Sequence, residues 1–435
     1  MLEPLQTALD PEQLLDLAHR HGVERAEVYT TASQSAPVFF EANRLKQLES
    51  VQAEGVSLRV WCHGRPGTAV AYGPVDPQLL LERAIAASAL HPPEEYLGGE
   101  VRQQVLPSTG VVVPVANLIE SGQQAIAQLR QAYPELICNG EWSCEQETVR
   151  LLDSRGLDLT QTDATVSAYL EAQWIRGDDF LAVGEDGIGR QLFEPATLTA
   201  EILRRLDWAR ESAETPRGAV PVLVAAKATD LLWGTVQAAL SARQVLDGAS
   251  PWGDRRDQGV LNSALTLRQD PTRAPYDCPF DDEGTFTQAL TLVEAGQLRQ
   301  FYSDRRCGQK LGTGSTGNGF RPDLGSAAQP ALANLVIDPG TASLEQLIAG
   351  IEDGILVDQL LGGGPGISGD FSVNLDLAYR IRHGAIVGRI KDTMIAGNVY
   401  RILNAPLGLG ADSRWIGATW TPSLRLQEIS ITGRE

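Results

Sequence analysis

Apolar and polar positions change period along this chain, and each change marks an element. Over Pro11–His21, Leu14, Leu15, Leu17 and Ala18 recur near the helical period, with Asp10 as N-cap and Pro11 at the first helical position. The next runs are strand-like: Ala26–Thr31, Ala36–Glu41, Leu45–Gln52, Val56–Cys62 and Thr68–Tyr72. Within them Arg59 and Trp61 alternate with Leu58, Val60 and Cys62, as in a sheet with two different faces. Pro77–Ala89 returns to a helical pattern. A helix, an antiparallel meander and a helix predict an α+β layer.

Residues 92–112, rich in Pro, Glu, Gly and Gln, predict an exposed loop. Asn117–Tyr133 reads as a helix. Leu136–Ser143, Glu147–Asp153, Asp163–Trp174 and Asp179–Gly187 read as a second set of strands, turning at Ser154-Arg155-Gly156. Pro195–Glu211 is helical, and Ser212–Gly218 is the linker candidate. The second half opens with a strand, Val220–Ala225, and a helix, Asp230–Val245. Strands over Leu265–Arg268, Gln288–Glu294 and Gln297–Tyr302 precede a short helix, Ser303–Leu311. Leu335–Ile337, the helix Ser343–Ile351, strands Gly354–Leu361, Phe371–Ile381 and Ala385–Lys391, a helical turn Asn398–Leu403 and a last strand Ser423–Thr432 follow. The expected architecture is α+β in two domains, 1–211 and 219–435, each with a largely antiparallel or mixed sheet flanked by helices.

Length and composition sharpen this. A chain of 435 residues favours two domains. Its net charge of −19 argues against nucleic acid as a partner, which needs a basic footprint. Five cysteines without a CxxC pair fit a reduced, cytoplasmic chain better than a disulfide framework. The N-terminal MLEPLQTALDPEQ lacks the apolar core of a signal peptide, and no run is long enough for a membrane span.

Candidate chemistry concentrates in two glycine-rich stretches, Cys307–Arg321 and Gly362–Phe371, which share ten glycines among small hydroxyl and amide residues. Such backbone can approach a ligand closely, or simply turn. Ser315, Thr316, Asn318, Arg321, Ser368 and Asp370 are the candidate substrate-binding residues, and a carboxylate at Asp370 suits the amides or N-terminus of a peptide. Ser315 and Ser368 have no histidine near them in sequence, which leaves them as turn residues more readily than nucleophiles. Cys307 follows two arginines that would lower its pKa, unless it is simply packed. GTGSTG at 312–317 follows a helix rather than a strand and lacks a following GK[ST], the wrong setting for a phosphate cradle. Of the five histidines only His19 and His21 are close, and no HExxH or HExxxH occurs, so no metal site is expected.

The order of fragments is more informative than any of them alone. EGTFTQALTLVEAGQLRQFYSDRRCGQKLG, STGNGFR, NLVIDPGTASLEQLIAGIEDGILVDQLLGGG, SGDFS, IAGNVYRIL and TPSLRLQEISITG follow one another, after RAEVYTTASQ and LESVQAEGVSLRVWCHGRPGTA in the first half. This order resembles the TldD/PmbA family, once described as modulators of DNA gyrase. The resemblance implies cytoplasmic zinc peptidases built as two-subunit assemblies that remove leader peptides or degrade unfolded ones. In the TldD-type subunit an HExxxH helix and a cysteine near the carboxyl end hold zinc, and the glutamate is the general base. The PmbA-type subunit, or TldE, shares the fold without those ligands. Here the corresponding helix reads LLWGTVQAALSARQ, with Trp233, Gly234 and Ala238 in place of His, Glu and His, and ADSRWIGATWTPSLRLQ has no cysteine. The resemblance therefore implies a PmbA/TldE-type chain, inactive alone, with no cofactor of its own. Zinc is expected in a TldD-type partner, and extended peptides are expected along the glycine-rich stretches. Two readings stand beside it: a homodimeric binding or regulatory protein without peptidase activity, and an enzyme of unrelated mechanism using Cys307 or Asp370.

Overall fold

The structure is a computed structural model that describes residues 3–5, 7 and 9–433. Met1, Leu2, Gln6 and Ala8, in the N-terminal stretch read above against a signal peptide, lie outside the described residues. The chain divides at Ile202/Leu203 into two compact units, and the pieces Phe280–Phe286 and Gly319–Gln329 belong with the first. The ranges expected from sequence were 1–211 and 219–435. Ser212–Gly218, read as a linker, is tied down within the second unit: Ala213 N–H donates to Arg389 O, Thr215 Oγ1 lies 2.8 Å from Thr393 Oγ1, and Gly218 already opens the strand Gly218–Val224.

The first unit is built on one sheet, of nine strands among the described residues. Ile137–Asp153 is a single strand, not the two expected; its charged Glu145-Gln146-Glu147 stretch continues the ladder opposite Ser33–Ser35. This strand runs between Val38–Glu41 and Arg25–Ser35, so the expected meander and the second strand set form one surface. Its hairpin partner Asp158–Arg176 pairs in turn with Asp179–Gly189, and with Gln103–Val105 from the expected loop. Helices Pro11–Arg20 and Pro77–Ser88 bury Leu14, Ala18, Leu80, Leu81 and Ala84 against Val28, Val56, Leu58 and Val60. Both helices start with an aspartate cap and a proline, which satisfies an orphan N–H and presets the first φ.

The second unit holds a sheet that closes on itself. Gly218–Val224, Asp353–Leu361, Asp370–Arg382, Thr393–Asn398 and Leu424–Gly433 pair in that order, and the last returns to pair with the first. Closure leaves no free edge along these five strands. Their inward side chains, among them Val222, Ile355, Val357, Val373, Ile395, Leu424 and Ile431, are buried in one core with the helix Asp230–Leu240. Asp358, fully buried, sits between Arg205 Nε at 2.9 Å and Lys227 Nζ at 2.7 Å. Beside this sheet lies another, of six short strands that include Leu335–Ile337, Arg414–Ile416 and Thr419–Thr421.

Candidate functional site

The helix expected over Asp230–Val245 stops at Leu240; Ser241 is extended, and a second short helix covers Ala242–Leu246. The first helix carries Trp233, Gly234 and Ala238, which the resemblance sets against His, Glu and His. Trp233 is fully buried, and its indole Nε1 donates to Thr421 Oγ1 at 2.8 Å. Thr229 donates its hydroxyl to the same oxygen at 3.1 Å. Gly234 faces solvent, with open space where a Cβ would stand, and Ala238 is half-buried. Gln237 Nε2 reaches Thr419 Oγ1 at 3.4 Å. An indole N–H, hydroxyls and an amide do not make a zinc site, which takes imidazole, thiolate or carboxylate ligands. Among the described residues no three His, Cys, Asp or Glu side chains are grouped to hold a metal ion. The residues present therefore do not fit the metal of the catalytic type.

The six candidate binding residues separate into two settings. Thr316 is an interior fastener: its hydroxyl takes the Ser303 N–H at 2.7 Å and lies 2.8 Å from Asn318 Oδ1. Asn318 is fully buried and donates to Gln269 Oε1 and to the Ala331 carbonyl. Ser315 is half-buried, and its oxygen accepts from Gly317 N–H at 3.1 Å. Arg321 belongs to the first unit, where its guanidinium pairs with Glu27 and covers the Tyr29 ring at 5.2 Å. Its N–H donates to Asp282, which also receives the Tyr29 hydroxyl at 2.9 Å. Burial raises the Asp282 carboxyl above its ordinary range, against the opposing pull of these donors.

Ser368 and Asp370 are exposed, by contrast. Asn398 Nδ2 donates to both the Ser368 carbonyl and Asp370 Oδ1, at 3.0 and 2.9 Å. Gly369 between them has φ +80°, and a Cβ there would lie 2.9 Å from the Tyr400 ring, so only glycine fits. Cys307 lies in the first turn of Arg305–Leu311, buried, and its thiol is pushed up to about 12, first by burial and then by Asp304. The two preceding arginines do not make it a thiolate. Thr235, Asn398, Tyr400 and Thr421 organise this region and were not singled out from sequence. Asn398 stood in the quoted IAGNVYRIL, but a cap and a loop anchor look alike there.

Residues 26–88 match the family description "PmbA/TldA metallopeptidase domain 1", and residues 217–433 match "PmbA/TldA metallopeptidase C-terminal domain". Both descriptions define a class of metallopeptidase-related chains. The chain belongs to the TldD/PmbA family. It is 25% identical over 427 residues to a Methanothermobacter thermautotrophicus protein named metalloprotease, covering 92% of this chain and 90% of that one. A Buchnera aphidicola protein named metalloprotease TldD homolog is 28% identical over 250 residues, 51% of this chain and 50% of its own. The fold is that of TldE from Thermococcus kodakarensis, with TM-score 0.89 at 23% identity over 97% of this chain and 100% of that one. It is also that of a Thermotoga maritima protein described as a candidate modulator of a DNA gyrase, with TM-score 0.86 at 21% identity over 97% and 99%. No described helix is long and apolar enough to cross a membrane.

Proposed function

We propose that this chain is the zinc-free, PmbA/TldE-type subunit of a cytoplasmic two-subunit metallopeptidase. Its TldD-type partner supplies the zinc and the general base, and the assembly cleaves unfolded or leader peptides. The observation that carries this reading is Trp233, whose buried indole and bonded N–H stand where the catalytic type needs a histidine. The metalloprotease names of the relatives support the class of reaction. In this role the chain contributes no reacting group; it contributes wall. Ser368 and Asp370 face the peptide, while Ser315, Thr316, Asn318 and Arg321 fasten the backbone of their own stretch.

Co-expression with a homologue carrying HExxxH tests this. The two chains are expected to co-purify with zinc bound, and the complex to cleave an unfolded peptide in a chelator-sensitive way. A chain that recovers only itself would favour a homodimeric regulatory protein and overturn the reading.

A further inference from the structure

The helical layer of the first unit ends before the sheet does. On the face that Pro11–Arg20 and Pro77–Ser88 cover, Val28 stands opposite Leu58 and Thr30 opposite Val56, all buried. Side chains alternate along a strand, so the next pairs on that face are Ala32 with Glu54 and Gln34 with Gln52. Here a cleft of about 850 Å³ opens, and neither helix contributes to its lining. Buried Ala32 lies in the lining, where a methyl leaves depth that a larger side chain would fill. One wall is the N-terminal segment with Leu5 and Thr7. It is tied to the sheet by the Leu5 N–H on Thr148 Oγ1 at 2.9 Å and by Gln146 Nε2 on Glu3 O at 2.7 Å. A second wall is Tyr72-Gly73-Pro74, fixed by the Gly73 N–H on Glu54 O at 3.0 Å. Both walls are held by hydrogen bonds, so the cleft is part of the fold.

Its chemistry is uneven. Leu5, Ala32, Ala53 and Pro74 make it largely apolar, and among the described residues half-buried Glu54 is the one charged side chain in the lining. Gln34 and Gln52 stand opposite each other in the ladder, and among the described residues neither amide has a protein partner. A metal ion would give up its water for a single carboxylate, since no three metal-binding side chains gather among the described residues. An anion would meet Glu54 and a net charge of −19. A neutral apolar molecule would press the carboxylate against apolar surface without a counter-charge, which is costly. An organic cation satisfies both halves: its apolar body covers the walls, and its N–H groups reach Glu54 in a charge-assisted bond. A carboxylate has several acceptor sites, so it takes an ammonium alongside its contacts within the chain. Glu54 and Gln52 are two residues apart on one face, about 7 Å along the strand. The geometry points to a binding site for a small organic amine with an apolar body and a hydroxyl or amide roughly 7 Å from its nitrogen. Glu54 takes the ammonium, and Gln52 with Gln34 takes the second polar group. The site lies outside both glycine-rich stretches and is independent of the peptide-handling role proposed above.

The test is calorimetric titration of the full-length chain at neutral pH with three matched probes. These are tyramine, its neutral alcohol analogue tyrosol, and para-hydroxyphenylacetate. Tyramine is expected to bind, and the alcohol and the carboxylate to bind about tenfold more weakly or less. Glu54→Gln should weaken tyramine about tenfold, through loss of one charge-assisted bond, and leave tyrosol unchanged. Gln52→Leu should weaken tyramine about threefold and leave phenethylamine, which lacks the phenol hydroxyl, unchanged. Circular dichroism and melting temperature are expected to be unaltered in both variants, since neither side chain is buried. No binding of tyramine, affinities of the three probes within about twofold of one another, tyramine affinity unaltered in Glu54→Gln, or equal losses of tyramine and phenethylamine in Gln52→Leu would overturn the assignment. None of these outcomes bears on the subunit role, which stands or falls on co-purification and cleavage.

Discussion

Trp233 is the side chain on which the proposed zinc-free reading rests most. A tryptophan with no exposed surface and a satisfied N–H is a packing element, and its removal leaves a cavity and a stranded partner. Trp233→Ala is expected to cost about 3–5 kcal/mol, read as an earlier denaturation midpoint of the second unit. A loss below about 1 kcal/mol would mean that the indole does not fill the site as described. That Trp, Gly and Ala stand at 233, 234 and 238, where the resemblance would put His, Glu and His, was legible in the sequence. What the indole bonds to was not legible, since Thr421 lies far away in sequence and meets Trp233 only through the fold. Burial had the same effect on Asn318, Thr316 and Arg321. Small polar residues among glycines read alike whether they line a ligand or fasten the interior. Cys307 shows the converse, because neighbours in sequence were arginines while burial and Asp304 set its thiol.

Elements were legible where their period was long and regular. The capped helices Pro11–Arg20 and Pro77–Ser88 and the alternating strand Asp370–Arg382 came out within a few residues of expectation. Strands of three residues, such as Arg414–Ile416 and Thr419–Thr421, give no countable period and exist through tertiary pairing. Continuity was lost at Glu145-Gln146-Glu147, where charge resembled a break although the ladder runs on. Glu147 remains more than a third exposed, yet its carboxyl is pushed up to about 7, by partial burial and then by Asp163, Glu145 and Asp282. The folded state therefore holds this proton more tightly than the unfolded one. Its contribution to stability is full below the ordinary glutamate range and is lost as pH rises towards 7. Glu147→Gln should flatten melting temperature against pH across that window; an unchanged profile would count against the crowding. Asp358 runs the other way. Burial alone would raise its carboxyl, but Lys227 and Arg205 more than offset this and hold it below the ordinary range. That stabilisation is present at neutral pH and lost as pH falls through the lowered value. Asp358→Asn should cost about 3–5 kcal/mol at neutral pH, because two buried cations lose their counter-charge. Urea titration checks it, and a near-neutral variant would contradict the described pairing.

On the scale of the whole molecule, the order of weak fragments identified the family more reliably than any single motif. On the proposed reading, a scaffold that carries indole, hydrogen and methyl at 233, 234 and 238 accompanies chemistry rather than performs it. The charge of −19 fits a partner other than nucleic acid, and the closed sheet gives the glycine-rich loop a rigid base. The most direct measurement is chelator-sensitive cleavage of an unfolded peptide by the purified chain, alone and after mixing with a homologue that carries HExxxH. No cleavage by the chain alone, and cleavage by the mixture exceeding that of the homologue alone, is the predicted result. Cleavage by the chain alone, abolished by chelator and restored by zinc, would contradict it.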